Sequence, residues 1–568
     1  MFKNHPKGLF VAFFANMGER FGFYTMLAIF TLFMQAKYGF SAATATQIFG
    51  IFLAAVYFMP LFGGILADKV WGYGKTISYG LVVMFAGYLM LAIPTAQSGG
   101  KWLVFAALAV ISIGTGLFKG NLQALVGNLY DDPKYSKYRD VAFNIFYMGI
   151  NIGAMFAPTA AQSVYNWVLN SKGFKYVHDI PALAHRFLEG RGADFIGSTG
   201  DTIQSKLSVF AAEQGYGGTS LTEFSEKYIS ALGSSYHIAF GVACISLIIS
   251  MIVFWSLKKY YKQADMTEKQ KAASEEHKDK VIELTPKQVK DRIVALILVF
   301  IVVIFFWMAF HQNGAAMTIF ARDYTVSTVS KVTNLWFDFF GLLPIFLSFL
   351  GLYFLLKKGT SPKIKTMGAL AFAGFGAWAW FRFSSYGATN PFSPEKFQHF
   401  NPFFIVVLTP LIVGFFTYLA KKGKEPSAPK KIGIGMLITA VGFVILVIGS
   451  LSLIGFSPKE LNEVRAPAEV LLSPYWLIGT YFTLTIAELF LSPMGISFVS
   501  KVSPPQYKGL MQGGWLAATA IGNYAVAIVG LFWNKLPLWM FWSILVVCCI
   551  LSATFIFSIM KKLEKATS

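Results

Sequence analysis

Apolar stretches long enough to cross a bilayer recur along most of this chain, and that recurrence constrains its fold more than any single motif. A bilayer core about 30 Å thick is spanned by about 20 apolar residues of α-helix. Helices are expected near 9–34, 44–67, 75–95, 101–128, 141–168, 236–257, 293–320, 333–356, 366–384, 402–420, 432–455, 474–500, 509–533 and 537–560, about fourteen in all. Inside lipid only helices and closed barrels satisfy their own backbone groups. A barrel would show short alternating segments instead. The expected class is therefore an all-α polytopic membrane protein. Composition agrees: 55% of residues are hydrophobic and 13% charged, where a soluble domain carries roughly 25% charge.

The net charge of +20 is read as topology and not as nucleic-acid binding, because loop lysines and arginines orient membrane helices. "ADKVWGYGK" follows the second helix, and the polar segment 258–292 joins the sixth to the seventh. "KKGTSPKIK", "KKGKEPSAPKK" and the final "KKLEK" come later. With an even helix count all fall on one side, so both termini are expected in the cytoplasm, and 258–292 is expected to be partly helical. Cys244, Cys548 and Cys549 lie in apolar runs without metal-ligand or disulfide spacing. The first run is too long for a cleaved leader and is expected to remain as the first helix. Residues 169–235 form a long, mixed segment on the opposite side, either a small folded cap or an ordered loop. His178 and His185 within it are read as surface residues. No Walker A sequence supports ATP-driven pumping.

The first helix carries "FFANMGERFGFYTM", with Glu19 and Arg20 adjacent at its centre. A charge at bilayer depth costs about 2.5–3.5 kcal/mol on insertion scales, so it faces a wet cavity or finds a partner. Neighbouring residues point about 100° apart on a helix, so each is expected to need a partner on another helix. Candidates are Lys119 in the fourth helix, Glu488 in the twelfth and His311 in the seventh. Bases on early helices and an acid on a late one suit a zwitterion. Its carboxylate would meet Arg20 and Lys119, and its amine Glu488. Tyr24, Tyr57 and Trp307 are candidate wall residues.

These residues, with their surroundings, resemble the proton-dependent oligopeptide transporters, the POT family of the major facilitator superfamily. "GERFGFYTM" is similar to its first-helix ExxER motif, and "GGILADKVWGYGKT" to its second-to-third helix loop. "GTGLFKGN" resembles the fourth-helix segment with the substrate-site lysine, and "FNIFYMGINIGA" the fifth-helix signature. "NPFFIVVLTP" and "AELFLSPMGIS" resemble segments of its eighth and tenth helices. Six such segments in order cover about twelve helices of the family pattern. The resemblance implies two six-helix bundles moving by alternating access, with 1–168 and 236–257 in the first and 293–321 and 401–562 in the second. Residues 333–384 would be an extra helix pair between the family's seventh and eighth helices.

The resemblance implies proton-coupled import of di- or tripeptides. Arg20 and Lys119 would hold the peptide carboxylate, Glu488, Asn151 and Asn401 its amine, and Tyr24, Tyr57, Trp307 and Ser492 would line the site. Glu19, His311 and Glu488 are the proton-coupling candidates. Expected partners are peptides, protons and membrane lipids, without nucleic acid or cofactor, and the expected state is a monomer in a bacterial inner membrane. Asn16 stands where the family has the first Glu of ExxER. Leu27 and His311 stand where relatives have an arginine and an acid, Phe23 replaces the first Tyr of a pair, and Gly120 a proline. These replacements leave coupling open: another small zwitterion or anion, an uncoupled facilitator, and a non-transporting nutrient sensor are the alternatives.

Overall fold

The computed structural model describes residues 5–95, 100–132, 134–196, 201–265, 285–455, 468–504 and 507–567. Among them, fourteen long helices run back and forth: α1 (Lys7–Tyr38), α2 (Ala42–Trp71), α3 (Tyr73–Ala92), α4 (Gly100–Asn128), α5 (Arg139–Ser171), α6 (Leu221–Ser256) and α7 (Pro286–Tyr324). They continue as α8 (Phe339–Leu356), α9 (Pro362–Ser384), α10 (Phe400–Lys421), α11 (Ala428–Ser450), α12 (Tyr475–Val502), α13 (Lys508–Gly530) and α14 (Leu538–Ser558). Among the described residues ten spans are apolar and long enough to cross a membrane by length and composition. The chain is thus an all-α integral membrane protein. The even count returns the chain to the side it started from, here termed the terminal side; the opposite face is the insertion side.

Burial divides the helices into two groups. One core is built mainly by α1–α6 and the insertion, with Ala315 and Val526 added from the other group; the other is built mainly by α7 and α10–α14, with Ala42 added from the first. Close approach within the first group depends on small residues. A Cβ on Gly63 of α2 would lie 2.1 Å from the Gly116 carbonyl oxygen of α4. Asn121 of α4 donates to the Gly63 carbonyl at 3.0 Å.

Two helices are broken near their centres. In α2, Pro60 has no N–H to donate, and the helix restarts there before ending in a wide turn at Ala67–Trp71. In α7, the regular helix stops at Phe310, passes through a 3-10 turn at His311–Gly314 and resumes at Ala316. The expected uninterrupted helix over 293–320 is corrected accordingly. A break at membrane depth frees carbonyls that lipid cannot satisfy. Side chains take them: Thr318 Oγ1 and Tyr481 OH donate to the Asn313 carbonyl at 2.9 and 3.0 Å, and Thr31 Oγ1 donates to the Gly314 carbonyl at 2.7 Å.

Several ends differ from the sequence expectation. α6 starts at Leu221 and not near 236, so the insertion is shorter than 169–235. It holds the short helices Ile180–Leu188 and Ile203–Glu213 around an aromatic cluster in which Phe174 stacks on Tyr216 with centroids 5.1 Å apart. His185 is half-buried and not a plain surface residue: its Nε2 lies 2.9 Å from the Ala36 carbonyl at the end of α1. Of 258–292, residues 266–284 lie outside the described residues. The earlier part forms 3-10 turns docked under α3 and α4, where the Gly74 N–H donates to Asp265 at 2.7 Å. α7 begins with a capping box between Thr285 and Gln288.

The extra pair is α8 and α9. A short antiparallel ribbon, Thr328–Val329 with Asn390–Pro391, joins the chain where it leaves and where it returns. The sequence expectation of one helix from 333 to 356 fails at Asp338, whose side chain caps Phe340 N–H at 3.0 Å. Asp338 also accepts from Arg382 and Tyr386, at 2.5 and 2.7 Å, tying the pair together on the insertion side.

Candidate functional site

The site lies at the seam between the two groups of helices, about halfway along them. α1 brings Glu19, Arg20 and Tyr24, with Phe23 on the neighbouring turn. Glu19 and Arg20 do not seek partners on other helices. They close on each other: Arg20 Nε donates to Glu19 Oε2 at 2.5 Å and Nη2 to Oε1 at 2.6 Å, both residues buried. The 100° between their Cα–Cβ directions is spanned because both side chains are long and the guanidinium fork matches a carboxylate in bidentate fashion. The Arg20 guanidinium also lies 4.5 Å from the centroid of Phe23.

Lys119 of α4 lies close to this pair but is left without a carboxylate among the described residues. Its Nζ sits 3.5 Å from the ring centroid of Tyr57 of α2, a cation–π contact. Tyr57 in turn lies 6.0 Å from the ring of His311, which stacks on Trp307 at 5.0 Å and 18°. The break in α7 at His311 therefore brings this imidazole to the seam beside the Lys119–Tyr57 pair. Trp307 is buried, and its Nε1 has no hydrogen-bond partner among the described residues.

Glu488 of α12 meets no cation among the described residues. Its Oε2 accepts from Asn401 Nδ2 at 2.8 Å, and its Oε1 from Tyr147 OH at 3.2 Å. Asn401 reaches it from the first turn of α10 and also donates to Thr485 Oγ1, 3.1 Å away. Tyr147 reaches it from α5, across the seam. Tyr147 is 36% exposed, whereas Glu488 is buried. Asn151 does not touch Glu488; its Nδ2 donates to the Tyr147 carbonyl one turn away at 3.1 Å. Ser492, half-buried one turn beyond Glu488, lies on the same helix without a bond to it. Tyr24 and Tyr57 stand between the two charged groups, within reach of Arg20, Glu19 and Glu488 alike.

The sequence reading missed Tyr147 and Thr485. Both had a positional signal: Tyr147 precedes Asn151 by four residues and Thr485 precedes Glu488 by three, the spacings that share a helix face.

What the arrangement offers is one uncompensated cation from the first group and one uncompensated acid from the second, on opposite walls of one seam. The described hydrogen bonds joining the halves lie at the level of Glu488 or toward the insertion side. Beyond Tyr147–Glu488 they are Thr31 to Gly314, Gln398 to Ala28, Gln162 to Ser393, Tyr165 to Glu395 and Asn523 to Leu53. The seam is thus pinned shut on the insertion side.

Comparisons with known proteins agree with this architecture. The sequence profile of the POT family matches residues 74–185 and 387–538. The chain is 26% identical over 550 residues to the peptide transporter YePEPT of Yersinia enterocolitica, covering 93% of this chain and 88% of that protein. It is 24% identical over 524 residues to dipeptide and tripeptide permease B of Xenorhabdus bovienii, covering 92% and 86%. Its fold is similar to that of the peptide transporter POT solved in complex with sulfate, at a TM-score of 0.65 and 21% identity, covering 100% of this chain and 96% of that one.

Proposed function

We propose, from the premise that this chain belongs to the POT family, that it is a secondary transporter importing di- and tripeptides by proton symport and alternating access. It is not an enzyme. The observation that carries the substrate reading is the pairing pattern. Because Glu19 neutralises Arg20, the cation left for a peptide carboxylate is Lys119 on one half. The acid left for the peptide amine is Glu488 on the other. A peptide bridging them would draw the halves together, which is what a gate on the terminal side needs in order to close. An anion without an amine would leave Glu488 unmatched, so a zwitterion fits better than nitrate or phosphate.

In this reading the coupled proton resides on Glu488. Both Glu19 oxygens are already engaged by Arg20. Glu488 is held by neutral donors, and the peptide amine is the counter-charge this reading gives it, so a proton takes the amine's place when the peptide leaves. The terminal side is taken as cytoplasmic, because the lysine-rich segments after α8, α10 and α14 lie there. A bacterial inner membrane is the setting this orientation implies.

The test is dialanine uptake into proteoliposomes under an inward proton gradient, under a membrane potential alone and under neither, repeated with Glu488→Gln. Gradient-driven accumulation that the variant loses supports the proposal. Equilibration without accumulation replaces it with a facilitator, and no flux with any gradient replaces it with a different cargo.

A further inference from the structure

One buried carboxylate has no task in the transport site. Glu395 lies in the 3-10 turn Pro394–His399 that leads into α10, and it is fully buried. Its Oε1 accepts from the hydroxyl of Tyr165, on α5 in the opposite half, at 2.5 Å. Among the described residues its Oε2 has no hydrogen-bond partner. Beside this contact Gln162, one turn back on α5, donates to Ser393. The two bonds together clamp α5 to the entrance of α10 on the insertion side.

The titratable groups around Glu395 are mostly neutral. Tyr165 faces it from α5 and Tyr236 from α6, their rings 4.9 Å apart. Tyr176 faces it from the insertion, its ring 5.6 Å from that of Tyr165. Lys396 follows it in the chain and its charge acts on Glu395, without a salt bridge between them among the described residues. Arg322, at the end of α7, is committed to Asp323 through bonds of 2.6 and 2.8 Å. His399 turns away to the Trp336 carbonyl at 2.9 Å.

A carboxylate withdrawn from water with one oxygen unmatched and no paired cation is costly in its charged form. Taking up a proton removes that cost. When the seam opens on the insertion side, water reaches both oxygens and the charged form is again favoured.

We propose that Glu395 is a proton-sensitive latch of the insertion-side gate, which closes on the protonated carboxyl and reopens as it ionises. The proton is taken from and returned to the insertion side, so it does not cross the membrane. This separates Glu395 from the coupled proton assigned above to Glu488. The proposal rests on alternating access but not on the nature of the cargo.

The test uses full-length protein in proteoliposomes carrying Thr31→Cys. Thr31 is fully buried and its hydroxyl donates across the seam to Gly314, so a cysteine there reacts only when the gate parts. Labelling by a membrane-impermeant maleimide added from the insertion side is followed between about pH 5 and 8. Each rate is divided by that of an exposed cysteine under the same conditions. The latch predicts a normalised rate rising by up to about tenfold per pH unit through the titration. Glu395→Gln should make it flat and low, and Glu395→Asp should restore the slope. Tyr165→Phe, which keeps the acid but removes the bridge, should raise the rate at every pH and keep the slope. The same slope in Glu395→Gln as in the parent, or an unchanged rate in Tyr165→Phe, would overturn the proposal. A flat parent profile in protein that transports dialanine sinks the latch alone. A sloping profile without dialanine flux sinks the peptide reading alone.

Discussion

Glu19 and Arg20, consecutive residues of one helix, satisfy each other through two hydrogen bonds of 2.5 and 2.6 Å in the buried centre of α1. The pair is neutral as a unit, and that neutrality leaves Lys119 as the cation the site can offer. It also makes a stability prediction. Removing one partner of a buried pair strands the other and costs about 3–5 kcal/mol, whereas removing both costs far less. Glu19→Gln should lower the apparent unfolding temperature in detergent more than the double substitution Glu19→Gln, Arg20→Met does. Equal losses would show that Arg20 has a second partner.

Tyr147 should contribute to the site through its hydroxyl alone. Tyr147→Phe removes one of the two donors to Glu488 while leaving Asn401 in place. Water can replace the lost donor at a residue this exposed, so the cost should be about 1 kcal/mol, roughly a fivefold rise in KM for dialanine. A loss as large as that of Glu488→Gln would mean that Tyr147 touches substrate directly.

The insertion should undock from α1 in acid. Burial lowers the pKa of His185 below its ordinary value, against the opposing effect of its bond to the Ala36 carbonyl. The undocked imidazole takes its proton at about pH 6.5, the docked one only at lower pH. Between those values the undocked form binds more protons, so docking is complete above about pH 6.5 and weakens as pH falls toward the docked value. Hydrogen exchange in Ile180–Leu188, corrected for intrinsic rates, should accelerate between pH 7.5 and 5.5, and His185→Gln should remove that dependence. Slower corrected exchange at pH 5.5 would reverse the sign.

Packing of α2 on α4 should not tolerate a methyl group at Gly63. The added Cβ would meet the Gly116 carbonyl at 2.1 Å, a backbone atom that cannot swing away. Gly63→Ala should cost about 1–3 kcal/mol and reduce the monodisperse fraction on size exclusion. Recovery equal to that of the parent would show that the two helices can separate freely.

The helices were legible in the sequence because lipid demands long apolar runs, and that demand is local. The site residues on α1, α4 and α12 were legible because a charge at that depth is rare. What sequence spacing could not give was the pairing. Helical geometry sets Glu19 and Arg20 on different faces, yet side-chain length overrides backbone direction. The break in α7 was equally hidden, because "WMAFHQNGAAM" contains no proline and its one polar run, His311–Asn313, is short and flanked by apolar residues. It is held by Thr31, Thr318 and Tyr481, two of them on other helices. Resemblance assigns Asn151 to the peptide amine together with Glu488 and Asn401; it gave no role to Tyr147, one turn before Asn151, which donates to Glu488.

The central claim is that Lys119 reads the carboxyl end of a peptide and Glu488 its amino end. The most direct measurement is inhibition of dialanine counterflow by dialanine amide and by N-acetyldialanine, in the parent, Lys119→Gln and Glu488→Gln. Counterflow needs no proton gradient, so loss of coupling does not obscure it. In the parent both blocked peptides should bind at least tenfold more weakly than dialanine, the scale of a lost charge-assisted hydrogen bond. Lys119→Gln should erase discrimination against the amide alone, and Glu488→Gln discrimination against the acetylated peptide alone. The opposite assignment, or discrimination against both that survives in both variants, would contradict the account.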